Sequence, residues 1–291
     1  AVALNHPFRQ LDEQWLAALA EAVDEPTQWQ QWLPRIRERA ASSQARTVGI
    51  SFWDDVLTLV DFDPQNISYL SSLTECIAFY TEHIAPLDTA IRNLYAALLT
   101  RPELLGPWQT LYRDHVNVFL ARWFAFFKDY RSNQQGLLQR ILDENAALGT
   151  GKVAIIVGDG VAFEVACVVA RKVGPRFKLS RDIILADLPS ETENNMSRIY
   201  LDNGLIEKIQ SNREKYLREQ NPDKAIDFLR LDDVGDALLP GRFLVAAYKE
   251  IDDMGEKLQQ KALKHFDTVI DFLAGKVRQL LGNGYGKVYL I

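Results

Sequence analysis

The stretch that decides the fold is Val153-Ala154-Ile155-Ile156-Val157, followed directly by Gly158-Asp159-Gly160. A short β-branched run with no polar face is typical of a strand buried in a parallel sheet. Helical periodicity follows over residues 163–173 and ends at Gly174-Pro175. The order of strand, glycine-flanked loop and helix predicts that an α/β domain begins at about residue 150.

Three further apolar runs predict three more strands downstream of the first. They are Ile183-Ile184-Leu185, the stretch 243–248, and residues 287–291. A polar helix is predicted from about Asn195, and a long helix over residues 253–281. Because strands alternate with helices, we expect a mostly parallel sheet over residues 150–291.

Residues 1–149 have apolar side chains at helical spacing, as in Leu16, Leu19, Ala20 and Val23. Breaks are expected where proline removes an amide donor and restricts the residue before it. These positions are Asp24-Glu25-Pro26, Asp63-Pro64, Ala85-Pro86, Arg101-Pro102 and Gly106-Pro107. The predicted fold class is therefore α plus α/β, with a region of five or six helices preceding the sheet domain.

Eight aromatic residues crowd the last part of this helical region, between residues 108 and 130. They suggest two alternatives: a surface on which bases stack, or the packing of a buried helix. Aromatic side chains dominate core energetics in general, so the sequence favours core packing.

Composition limits the classes of protein that the chain can represent. A net charge of -6 argues against a chain that is basic overall and coats nucleic acid. Two cysteines, Cys76 and Cys167, lie far apart, which is typical of a reducing compartment, so we expect a cytoplasmic protein. The most apolar helical stretch is interrupted by Asn117 and Arg122 and is too short to span a bilayer, so no membrane segment is expected.

Polar residues that follow the strands are the candidates for function, because ligands bind at the carboxyl ends of the strands in open α/β sheets. After the first strand, Asp159 stands between two glycines and suits a hard divalent cation. The alternative for Asp159 is an ordinary helix N-cap.

The loop Leu188-Pro189-Ser190-Glu191-Thr192-Glu193-Asn194-Asn195 is rich in hydroxyl groups and opens a helix. Free helix amides favour an anion such as phosphate, and a hydroxyl activated by a metal can attack it. The alternative is a capping box, since Ser190 and Glu193 have the required spacing. Asp252 and Glu256 lie in the acidic stretch after the strand at 243–248, where the helix dipole alone would favour carboxylates.

Taken together, these segments resemble the alkaline-phosphatase superfamily and, more closely, its PglZ domain. The stretch 158–164 is similar to the PglZ signature Asp-Ala-Leu-Arg-Tyr-Glu, and Leu188-Pro189-Ser190-Glu191-Thr192 is similar to its Leu-Pro-Ser/Thr-x-Thr. The resemblance implies that Thr192 is the nucleophile and a metal ligand, with Ser190 as the fallback nucleophile. Asp159 and Asp252 would be further ligands.

The resemblance covers about residues 152–291 and departs from the family in two places. Glu256 stands where many members have a histidine ligand, and it would take that role here. Members also carry Asp-His-Gly directly after a strand like 287–291, so we expect a fragment with an incomplete site and weak or absent activity. Asn195 is assigned to orienting the phosphoryl group from its position alone.

The function implied by the resemblance is a metal-dependent phosphatase or phosphodiesterase in a BREX-type phage-defence system. It would use divalent zinc, manganese or magnesium, two ions in the complete protein, on a phosphoester such as nucleic acid or nucleotide. The partners would be other defence proteins. The alternative is an inactive phosphatase-like scaffold that binds those proteins. A nucleotide-binding domain is less favoured, because neither the dinucleotide nor the P-loop glycine motif is present.

Overall fold

The computed structural model describes residues 4–22, 30–149 and 151–291. The chain divides into two compact units, Ala1–Tyr130 and Arg131–Ile291. This division lies earlier than the boundary predicted at residues 149 and 150, because the helix Leu137–Ala147 packs in the same core as the sheet. Val23, the break at Asp24-Glu25-Pro26 and residue 150 lie outside the described residues.

Within the described residues, the first unit contains seven α-helices, against five or six predicted. They are α1 (Arg9–Glu21), α2 (Leu33–Ala41), α3 (Ser43–Thr47), α4 (Phe52–Val60), α5 (Leu73–Phe79), α6 (Ala85–Leu98) and α7 (Pro102–Ala125). Short 3₁₀ helices lie at Gln30–Trp32, Pro64–Tyr69 and Phe127–Asp129. Apolar faces of these helices meet in one core, which includes Leu16, Trp53, Leu94 and Trp108.

Two of the predicted proline breaks are correct and two are wrong. Pro64 begins a 3₁₀ helix and Pro102 begins α7, where a missing amide donor costs nothing. Pro86 does not interrupt the helical course, because a π-helical turn at Tyr80–Ile84 carries the chain from α5 into α6. Pro107 lies inside α7, which continues to Ala125.

The aromatic residues of α7 and the following turn are only partly buried. Trp108 and Phe119 belong to the core, as the packing alternative predicted. Phe124 and Phe127 are 63% and 41% exposed. Core packing therefore accounts for the first part of this aromatic stretch and not for its end.

The second unit is an α/β domain with helices on both faces of a parallel sheet. Its elements are α8 (Leu137–Ala147), β1 (Lys152–Gly158), α9 (Phe163–Val173), α10 (Thr192–Tyr200), α11 (Gln210–Gln220), β2 (Ile226–Arg230), β3 (Phe243–Tyr248), α12 (Glu250–Leu258), α13 (Phe266–Gly282) and β4 (Tyr285–Leu290). The strand order is β2-β3-β1-β4, and every pair is parallel. The predicted fold class is confirmed.

Alternating residues of the two central strands pack into two separate cores. Ala154 and Ile156 of β1 face α9 and α13, whereas Val153, Ile155 and Val157 face α8 and α10. A parallel sheet needs this cover on both faces, which explains the continuous apolar run in the sequence.

Two predicted elements of this unit are wrong. Ile183-Ile184-Leu185 forms no strand; Ile183 and Ile184 are 36% and 39% exposed in an irregular segment. The missing strand is β2, and its Arg230 end is solvent-exposed. The long helix predicted over residues 253–281 is divided into α12, a 3₁₀ segment at Gln259–His265, and α13.

No helix in the described ranges is both long enough and apolar enough to cross a membrane.

Candidate functional site

The loop after β1 places Asp159 at the carboxyl edge of the sheet. The Asp159 amide donates to the Tyr248 carbonyl at 2.7 Å, which ties the loop to the end of β3. Only 6% of Asp159 is exposed. It does not cap α9, because the N-cap position is held by Ala162 and has no side-chain hydrogen bond. The N-cap explanation of this aspartate is therefore wrong.

Gly160 allows the start of α12 to approach this loop closely. Its φ of +74° lies in the left-handed region, which favours glycine. A Cβ at this position would lie 3.2 Å from the Asp252 amide nitrogen and 3.0 Å from Ile251 Cγ2. The glycine therefore brings the backbone of Asp252 beside the Asp159 loop.

Thr192 is the first residue of α10, and its side chain reaches the same place. Its Oγ1 lies 3.5 Å from Asp159 Oδ1, at the long end of the hydrogen-bonding range. The capping-box explanation of this loop is wrong, since the N-cap residue Glu191 makes no side-chain cap bond. Two of the sequence-predicted site residues, distant in the chain, are thus neighbours.

Ser190 and Asn195 are engaged with each other instead of with Asp159. The Asn195 Nδ2 group donates to Ser190 Oγ at 2.8 Å, and Gln134 Nε2 donates to Asn195 Oδ1 at 2.7 Å. The nitrogen and the oxygen of the Asn195 side-chain amide are therefore both hydrogen-bonded. These hydrogen bonds hold the first turn of α10, which begins at Thr192.

Three charged groups and one hydroxyl act on the Asp159 carboxyl. Burial raises the pKa of Asp159, and the nearby Asp252 carboxylate raises it further. Lys249, the Thr192 hydroxyl and Arg213 act in the opposite direction and lower that pKa. Two carboxylates and two cations therefore meet around this end of the sheet.

Glu256 is the predicted site residue for which the structure gives least support. It is exposed near the end of α12, one turn beyond Asp252, and it is not among the charges that shift the pKa of Asp159. Among the residues that the structure describes, no group of three or more His, Cys, Asp or Glu side chains is placed to hold a metal ion.

The donors present fit one hard divalent cation better than two. Asp159 and Asp252 supply carboxylate oxygens and Thr192 a hydroxyl, which are the ligand types that such cations prefer. A cation placed between the two carboxylates would relieve their mutual repulsion. For a second ion, the described residues offer no further cluster of ligands.

A pocket of about 360 Å³ lies beside these residues, at the carboxyl ends of β2 and β3. It is lined by Gln210, Glu214, Phe228, Arg230, Lys249 and Asp253 among others. Lys249 connects the pocket with the Asp159 site, because it lines the first and acts electrostatically on the second.

Sequence reasoning missed Lys249 and Arg213. Lys249 was detectable, since it comes directly after β3, in the position that drew attention to Asp159 after β1. Arg213 gave no signal, because it is one of several charged residues in the polar helix α11.

Comparison of the chain with models of known protein families finds no match, and comparison with curated protein sequences finds none either.

Proposed function

We propose that the unit Arg131–Ile291 carries the site of a metal-dependent phosphoester hydrolase of the PglZ type, with Thr192 as the nucleophile. The observation that supports this most is the 3.5 Å approach of the Thr192 hydroxyl to the Asp159 carboxylate at the carboxyl edge of the sheet. The two residues are 33 positions apart in the sequence, and the family resemblance requires them to meet.

In the proposed reaction, the Thr192 oxygen attacks phosphorus and the bond from phosphorus to the leaving oxygen breaks. The hydroxyl proton passes to solvent water, since Asp159, the nearest carboxylate, is assigned to holding the cation. Water then hydrolyses the phosphothreonine and restores the hydroxyl. A bound divalent cation would lower the pKa of the hydroxyl and offset charge on the phosphoryl oxygens.

Asp159, Asp252 and Thr192 are the residues that would hold this cation, with zinc, manganese and magnesium as the candidates. Glu256 would have to come from the exposed face of α12, and we propose it only as an outer ligand of a second ion. A cytoplasmic location, partners in a phage-defence complex, and nucleic acid or nucleotide as substrate belong to the same proposal.

The test is hydrolysis of bis(p-nitrophenyl) phosphate and p-nitrophenyl phosphate with Mn²⁺, Mg²⁺ or Zn²⁺, by this chain and by any longer protein that contains it. Thr192→Ala should abolish metal-dependent turnover. Ser190→Ala removes the fallback nucleophile, a hydroxyl two residues away that bonds to Asn195, and should retain metal-dependent turnover if Thr192 is the nucleophile. Equal rates in Thr192→Ala and wild type would exclude the nucleophile assignment.

An inactive scaffold that binds defence proteins is the second candidate function. It is favoured by one observation, that no cluster of three metal-ligating side chains exists in the described part of the chain. Absence of hydrolysis from both the chain and the longer protein, with every metal, would select this candidate.

A further inference from the structure

We propose that Lys249, supported by the buried guanidinium of Arg213, binds the anionic group of the substrate at the mouth of the pocket between the carboxyl ends of β2 and β3. The ligand class is a tetrahedral oxyanion, such as phosphate or a phosphoester. This inference rests on the proposed function for its biological meaning, but anion binding is measurable without turnover.

Lys249 is a cation available for a ligand. It is exposed, it follows β3 directly, and its side chain lines the pocket. Its side chain makes no hydrogen bond or ion pair with any residue that the structure describes. It also acts electrostatically on the buried carboxylate of Asp159. Lys249 is therefore a positive charge common to the pocket and the Asp159 site.

Arg213 supplies a second positive charge from below the surface. Its side chain is 3% exposed, and Nη1 donates to the carbonyls of Glu207 and Lys208 at 2.9 and 3.2 Å. Nη2 donates to Gln210 Oε1 at 2.6 Å, whereas Nε has no partner. In the described ranges no carboxylate forms an ion pair with it, so its charge is not cancelled by direct contact.

Arg213 packs against the C-terminal end of α10. Its guanidinium lies 5.8 Å from the centroid of the Tyr200 ring, at the end of the helix that Thr192 begins. Arg213 and Asp159 also act on each other electrostatically. A buried cation without an ion-pair partner is costly, so its retention beside a candidate site points to a role in setting the local potential.

With a divalent cation bound, the charges around the site favour an anion. Asp159 and Asp252 contribute two negative charges, and Lys249 and Arg213 contribute two positive ones. The pocket lining adds Arg230, Glu214 and Asp253, so without a metal these groups carry one net negative charge. Any divalent cation bound to the carboxylates makes the total positive, and a phosphoryl group then supplies the matching negative charge. Without the two basic residues the metal alone would only neutralise the carboxylates, and the site would hold an anion weakly.

A structural role for Arg213 is the competing explanation, since its bonds also hold the segment 207–210 in place. The two roles predict opposite effects of removing Arg213 on the affinity for a cation. Removing a positive charge should strengthen binding of a cation and weaken binding of an anion, whereas loss of local structure should weaken both.

The experiment is isothermal titration calorimetry of the purified chain with inorganic phosphate in saturating Mg²⁺ and, separately, with Mn²⁺ alone. Lys249→Met should weaken phosphate binding roughly tenfold, as expected for loss of a hydrogen bond to a charged group. Arg213→Met should weaken phosphate binding and tighten Mn²⁺ binding, whereas Arg213→Lys should lie near wild type for both. Lys257→Met is the matched control, because Lys257 is an exposed lysine on α12 outside the pocket.

Each outcome decides one question. Unchanged phosphate binding in Lys249→Met, or no phosphate binding by the wild type, overturns the inference. Weakening of both ligands in Arg213→Met assigns that residue a structural role and removes it from the proposal. Phosphate binding that depends on Lys249, in a protein that hydrolyses no phosphoester, keeps this inference and rejects the proposed function.

Discussion

Thr192 Oγ1 lies 3.5 Å from Asp159 Oδ1, so the first residue of α10 meets the loop after β1. The Asp159 carboxyl is nevertheless poorly solvated and lies close to Asp252, and both effects raise its pKa. One hydroxyl at this distance does not compensate for burial. The arrangement is therefore a source of instability at neutral pH that a bound cation would remove.

Asp159→Asn should raise the melting temperature of the second unit at pH 7 in the presence of EDTA. An acid whose pKa is higher in the folded state than its unfolded value of 3.8 binds more protons when folded. Folding stability therefore falls as the pH rises from 3.8 through the raised pKa, and the penalty is complete above it. The stabilisation by Asp159→Asn should accordingly shrink as the pH is lowered towards 3.8.

Differential scanning calorimetry at pH 4 and pH 7 measures this difference. Asp253→Asn is the matched control, since Asp253 stands next to Asp252 but is not among the charges that act on Asp159. Destabilisation by Asp159→Asn at pH 7 would show that the carboxylate is better satisfied than its burial indicates.

The sequence correctly predicted the strand and helix on either side of Asp159, but it misplaced one strand of the sheet. Periodicity and the glycine-flanked loop located β1 and α9, because buried central strands and amphipathic helices leave strong patterns. The edge strand β2 was missed, since Ile226-Asp227-Phe228-Leu229-Arg230 is short, with charged residues among its apolar ones. The irregular run 183–185, in which Ile183 and Ile184 are exposed, was mistaken for it.

Tertiary proximity was less predictable than secondary structure. The rule that ligands bind at the carboxyl ends of parallel strands correctly selected Asp159. It could not reveal the buried Arg213, because neither burial nor an unpartnered Nε leaves a mark in a polar helical sequence. Glu256 was chosen from a family position, which carries no information about its exposure.

In the first unit, Arg39→Met should destabilise by about 3–5 kcal/mol, because it leaves Asp12 charged and buried without its cation. Arg39 Nε and Nη2 each donate to Asp12 at 2.8 Å, and both side chains are at most 1% exposed. Trp53 Nε1 also donates to Asp12 at 2.7 Å, but a neutral donor does not replace the guanidinium.

Arg37→Met is the matched control on the same helix α2. Arg37 pairs with Asp61 at 2.6 Å, but the two side chains are 54% and 37% exposed, so its loss should cost at most about 1 kcal/mol. Urea unfolding followed by tryptophan fluorescence measures both variants. The signal is specific to the first unit, because it contains all six tryptophans of the chain: Trp15, Trp29, Trp32, Trp53, Trp108 and Trp123. Equal losses in the two variants would contradict the buried-pair explanation.

In the second unit, Gly160→Ala and Gly275→Ala should change stability in opposite directions. At Gly160 the φ of +74° and the approach of the Asp252 amide to 3.2 Å from a Cβ both oppose alanine, at a cost of about 1–3 kcal/mol. Gly275 lies within α13, where a Cβ would meet nothing within 4 Å, so alanine should stabilise by about 0.5–1 kcal/mol.

Hydrogen exchange of peptides from β1 reports on this unit, and Gly160→Ala should speed their exchange while Gly275→Ala slows it. Because α12 must move away to accommodate the new methyl group, Gly160→Ala should also separate Asp252 from Asp159 and weaken Mn²⁺ binding. Unchanged exchange and unchanged Mn²⁺ affinity in Gly160→Ala would show that the close approach of these two segments is not required.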